Sequence, residues 1–179
     1  YMEMLEQAVE ALKRGEQPDT AKPLSGGPEV NLRIPALIPE DYLPDVFTRL
    51  TLYKRIAGSK NGDQLKELQV EMIDRFGLLP DPVKNLFQVT ELRQRAEKLG
   101  ITRLDAHARG GKLEFAERTP VDPLTIVKLV QSGPNRFKLE GANALRFVED
   151  SETPEERIQV VQELLTRLAA QSIQTGAAG

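Results

Sequence analysis

At Ile101 the apolar residues of this chain switch from a helical spacing to a period of two, and that switch limits the folds open to it. Beyond it, Arg103 to Ala108 and Lys112 to Ala116 read as strands joined at Arg109-Gly110-Gly111, a turn where glycines supply positive φ. Asp122-Pro123, a cap followed by proline, opens a helix through LTIVKLVQ. Arg136 to Leu139 and Ala144 to Val148 then form a second hairpin around residues 140–143. Hairpins imply antiparallel pairing, so this ββαββ half predicts an α+β domain with helices packed on short antiparallel strands.

The first half is helical and heavily punctuated. Asp63 to Phe76 has Asp63 as its N-cap and Gly77 as its stop, with Leu65, Leu68, Met72 and Phe76 on one stripe. Glu67, Glu71 and Asp74 lie on the opposite side, which makes the solvent face acidic, and Glu71 with Arg75 can form an i,i+4 pair. Asp45 caps a helix to about Ala57, in which Val46, Leu50, Tyr53 and Ala57 share a side and Phe47 and Ile56 widen it. Arg49, Lys54 and Arg55 read there as a solvated basic edge. Asp81-Pro82 opens a helix to Leu99 with Lys84, Gln88, Glu91, Arg95 and Lys98 on one face. Val30 to Ile34 alternates as a strand before Pro35. Near the end, Thr153 and Glu156 form a capping box, and Ile158, Val161, Leu165 and Leu168 make an apolar stripe.

The flanks are simpler. Tyr1 to Arg14 reads as a helix, residues 15–28 hold three Pro and three Gly as a linker, and residues 171–179 read as a frayed tail. The first residue is Tyr, so the chain is expected to be part of a longer polypeptide.

Several kinds of chemistry are disfavoured. With no cysteine there is no thiolate or disulfide, which suits a reducing cytoplasm. A net charge of −3, with 24 basic and 27 acidic side chains interspersed, does not suggest a whole-domain grip on phosphates. No GxxxxGK[ST] loop and no GxGxxG after a strand is present, and no apolar run approaches the roughly 20 residues of a membrane span. His107, the only histidine, has no orienting partner in view and reads as structural or surface. Glu71 and Asp74 alone would leave a hard cation mostly hydrated, so no metal or cofactor is expected in this segment.

Two stretches go further, IPEDYLPDVFTRLTLYKRIAG (Ile38 to Gly58) and ELQVEMIDRFGLLPDPVKNL (Glu67 to Leu86). With the later GGKLEF at 110–115, they resemble the C-terminal domain of the bacterial transcription-repair coupling factors, the Mfd family. The likeness runs from about Val30 to Leu168, and YMEMLEQAV resembles the end of that family's translocase module. The resemblance implies 1–14 as the last helix of that module and 29–170 as a regulatory domain. It implies a parent that is an ATP-dependent DNA translocase, its ATP and Mg2+ sites upstream, which removes stalled RNA polymerase and recruits UvrA. The domain would be non-catalytic and would pack on an N-terminal UvrB-like module, masking its UvrA-binding surface. The interface it implies here is Glu71, Asp74 and Arg75, facing arginines expected on that surface, and Glu67 is added to the expected interface from its place on the same acidic face. The alternative is a module contacting nucleic acid or polymerase through Arg49, Lys54, Arg55, Lys84, Arg95 and Lys98.

Overall fold

The computed structural model describes residues 26–178, with side chains through residue 169. The helix expected over 1–14 and most of the linker expected over 15–28 lie outside the described residues. The chain divides into two compact units, one holding Ile34–Gln94 and the other Pro28–Arg33 with the chain from Arg95 onward.

The first unit is built on helices. Helix α1 spans Val46–Gly58, α2 Gly62–Phe76, and α3 Asp81–Lys98, which runs past the boundary at Gln94. Asp45 caps α1 as expected, its Oδ2 accepting from the Thr48 amide at 2.8 Å. The buried face of α1 differs from the expected one. Arg49, Leu52, Tyr53 and Ile56 are buried, whereas Phe47 is 62% exposed. Arg49 is no basic edge; it donates to the carbonyls of Leu43 (2.6 Å) and Pro44 (2.9 Å), which meets the cost of burying a guanidinium. The cap of α2 is Asn61, whose Oδ1 accepts from the Gln64 amide at 2.9 Å, and Asp63 lies inside the first turn. There its charge still favours the helix N-terminus. Leu65, Leu68 and Met72 are buried as expected, but Phe76 is only half-buried.

The second unit is a five-stranded sheet in the order β1-β2-β3-β5-β4 with two helices. Its strands are β1 Glu29–Asn31, β2 Ile101–His107, β3 Gly110–Phe115, β4 Phe137–Glu140 and β5 Ala144–Val148. The β2–β3, β3–β5 and β4–β5 pairs are antiparallel, as the hairpins require, while β1 runs parallel to β2. The sheet is therefore mixed, an α+β arrangement. Helix α4 (Pro123–Ser132) is capped by Asp122 and packs on α5 (Pro154–Ala178) and β4. All four residues of the expected stripe on α5 are buried, and its backbone stays helical to Ala178, through the expected tail.

The first hairpin turns one step earlier than its glycines suggested. His107 pairs with Gly110, so Ala108-Arg109 is the turn and both glycines stand in β3. Gly110 has φ +153°, and a Cβ on Gly111 would strike the Asp105 carbonyl oxygen and come within 2.5 Å of the Phe147 ring. Close approach of chains, not the turn itself, requires glycine at 111.

Candidate functional site

Helix α2 carries all four interface residues read from the sequence, and the structure separates them into two kinds. Glu71 is engaged within the chain. Its Oε2 and Oε1 accept from Arg55 Nη1 at 2.5 Å and Nη2 at 2.8 Å, and Arg75 Nη1 adds a third bond at 3.1 Å. A forked, charge-assisted pair favours the carboxylate, and the Arg55 hydrogen bonds, with Arg75 behind them, lower the Glu71 pKa from 4.5 to about 2. The sequence reading placed Glu71 on the solvent face with Arg75 alone as a possible partner, and that i,i+4 pair is present. Glu71 also ties α1 to α2 and holds Arg75, whose guanidinium lies 4.7 Å over the Phe76 ring.

Glu67 and Asp74 remain. Both are exposed and neither has a partner among the described residues. They sit on one side of α2 two turns apart, with only cations at its edges, Lys66 and Arg75, between them and neutrality.

The sequence reading did not single out the apolar part of this face. Val70 is 57% exposed, Ile73 38% and Leu78 85%. A wheel would have found Val70 and Ile73 off the buried stripe. Leu78 follows the helix stop, where periodicity gives no signal. Gly77 there has φ 97° and ψ −178°, a combination that essentially only glycine adopts. Its amide donates to the Ile73 carbonyl at 2.9 Å, and its carbonyl accepts from Tyr42 Oη at 2.9 Å. Tyr42 also packs edge-on to Phe76 at 6.4 Å, so the proline-rich lead-in holds the end of α2 in place.

The other candidate sites offer less. Of the six cations in the alternative reading, Arg49 is buried, Arg55 is taken by Glu71, and Arg95 donates to Thr166 Oγ1 at 2.8 Å. His107 accepts from the Arg109 amide at 3.1 Å, a turn contact. The open face of the sheet interleaves both signs: Arg146 binds Glu140 at 2.9 Å and Arg103 binds Asp105 at 2.9 Å. Among the described residues no group of three or more His, Cys, Asp or Glu could hold a metal, and no helix is long and apolar enough to cross a membrane.

A family model described as the TRCF domain matches residues 32–126. The transcription-repair-coupling factor of Escherichia coli is 45% identical over 173 residues, covering 97% of this chain and 15% of that protein. That of Haemophilus influenzae is 44% identical over 170 residues, covering 95% and 15%. The chain thus spans about 15% of the length of these curated relatives. A crystal structure of the C-terminal domain of transcription-repair coupling factor superposes with a TM-score of 0.64 at 24% identity, covering 80% of this chain and 94% of that one, a likeness of fold.

Proposed function

From the premise that this chain belongs to the TRCF-domain family, whose matched relatives are transcription-repair-coupling factors, we propose that it is the non-catalytic regulatory domain of such a factor. In this reading the parent is an ATP-dependent DNA translocase of the bacterial cytoplasm that removes stalled RNA polymerase and recruits UvrA. The domain docks on the parent's N-terminal UvrB-like module through α2, covers the UvrA-binding surface and restrains the motor until polymerase is engaged.

The observation that supports it is the state of the carboxylates on α2. Glu67 and Asp74 project without partners among the described residues, from a helix whose far side is buried at Leu65, Leu68 and Met72. Such groups suit a surface rich in arginine. The energy required is modest. Holding a closed state at about 99% takes about 2.7 kcal/mol, since each 1.4 kcal/mol is tenfold. Loss of one partner of a desolvated charge pair costs about 2–5 kcal/mol, so a few side chains suffice and the contact stays releasable.

Glu71 is a poor probe, because a lysine there would face Arg55 and Arg75 and disturb the domain itself. The test is Glu67→Lys with Asp74→Lys in the full-length parent. Greater UvrA binding and faster ATP hydrolysis than wild type are expected, with unchanged far-UV circular dichroism. Wild-type values for both activities would overturn the reading.

A further inference from the structure

Strand β4 forms one edge of the sheet, and Lys138, Leu139 and Glu140 in it are exposed. Its backbone groups divide by direction. The Val148 amide donates to the Arg136 carbonyl at 2.7 Å, and opposite residues of an antiparallel pair alternate between bonded and unbonded, so Lys138 and Glu140 bond inward to Arg146 and Ala144. Phe137 and Leu139 therefore turn their backbone groups outward. The Phe137 amide donates to the Gly133 carbonyl at 2.8 Å, whereas the N–H and C=O of Leu139 meet no partner among the described residues. An open donor and acceptor on a sheet edge are a template for another strand.

The side chains define which strand. On the open face of the sheet the register sets Lys112, Arg146 and Lys138 in one row across β3, β5 and β4, with Glu114 and Glu140 in the next row. Like charges directly opposite each other are unfavourable. Arg146 binds Glu140 at 2.9 Å, and Lys112 lies 3.7 Å from Glu114 and 3.8 Å from Glu140, but Lys138 at the edge has no ion pair among the described residues. A second β4 laid antiparallel about a two-fold axis at Leu139 answers both needs. Each Leu139 exchanges its N–H and C=O with its counterpart, and each Lys138 lies opposite Glu140 of the other copy, at an unbonded pair where side chains approach most closely. The cation row of one copy then runs on into the carboxylate row of the other. The opposite edge has no such match, since β1 paired with itself about Val30 would set Glu29 against Asn31. We infer that β4 is a homotypic docking edge, to which a second copy of this chain adds in antiparallel register centred on Leu139, selected by Lys138–Glu140 pairs across the joint. This stands independently of the docking proposed for α2.

The experiment is sedimentation equilibrium of the 179-residue chain up to about 1 mM, because so short a pairing belongs at the weak end of specific affinity. The wild type is expected to rise from the mass of one chain towards twice that mass. Leu139→Pro removes only an outward amide, which an edge strand tolerates, and Lys138→Glu sets carboxylates against each other across the joint. Both should keep wild-type far-UV circular dichroism and stay at the mass of one chain. Glu140→Lys should do the same, and an equimolar mixture of Lys138→Glu with Glu140→Lys should associate again, since every cation then faces a carboxylate. A wild type that stays at the mass of one chain overturns the inference. So does association that survives Leu139→Pro, which puts the contact elsewhere, and so does a mixture of two folded charge variants that fails to associate. Should Glu140→Lys, which also loses its Arg146 bond, fail to fold, the wild type, Leu139→Pro and Lys138→Glu decide between the outcomes.

Discussion

Glu71 shows how a carboxylate on the solvent face of a helix can be taken up by the chain's own scaffold. Its forked bond to Arg55 depresses the carboxyl pKa, so the sign of its pH dependence is fixed. A folded-state pKa below the unfolded one gives stability that is complete above the ordinary carboxylate range and lost as the pH falls. Here the loss spans pH 4.5 down to about 2. Urea unfolding of wild type and Glu71→Gln should therefore differ by a constant amount at neutral pH, with the gap closing across that window. A gap independent of pH would mean that the pair does not form. The same scale explains one misreading, Arg49, and one residue the sequence reading did not single out, Arg157. Arg49 lies at the spacing of buried Leu52, Tyr53 and Ile56, and Arg157 at that of Val161, Leu164 and Leu168. Position announced burial, but residue type argued against it. What reconciled them, carbonyls of Leu43 and Pro44 for Arg49 and of Ser151 and Leu32 for Arg157, comes from loops that no period describes.

At the level of elements, helices and hairpins were legible because each is set by nearby residues: caps at Asp45 and Asp122, the box at Thr153 and the alternation after Ile101. The Thr153 hydroxyl accepts from the Glu156 amide at 3.1 Å, while Glu156 reaches back to the Glu152 amide at 2.9 Å, one residue before the expected partner. Long-range features were not legible. The parallel pairing of β1 with β2 joins Val30 to Leu104, a separation on which local pattern is silent. The glycines of GGKLEF were legible as glycines but not for their reason. Since a Cβ at 111 meets backbone and an aromatic ring of a neighbouring strand, Gly111→Ala should cost on the order of 3 kcal/mol in chemical denaturation, as overpacked sites do. Gly141→Ala, at φ +66° with nothing near its Cβ, carries backbone strain alone and should cost less. Equal costs would mean that close approach is not what selects glycine in β3.

For the whole molecule the question is which force holds the proposed closed state, and salt separates the two candidates. The Debye length falls from about 10 Å at 0.1 M to about 3 Å at 1 M, so a latch made of rim charge pairs weakens steeply with salt, whereas apolar burial does not. Any ionic contact with UvrA would itself respond to salt, so a simple titration does not separate the two. The ratio of UvrA association in the Leu78→Ser parent to that in wild type removes this term, because both present the same surface to UvrA once open. If the strip of Val70, Ile73 and Leu78 supplies most of the closure, wild type stays closed at 1 M and the ratio remains well above one. If Glu67 and Asp74 supply it, high salt opens wild type as well and the ratio collapses to one. A releasable latch of the proposed kind has to stay shut across changes in ionic strength and still open when a partner is engaged. Apolar burial beside exposed carboxylates meets both demands, and a ratio of one at 1 M would show that the carboxylates alone hold the proposed closed state.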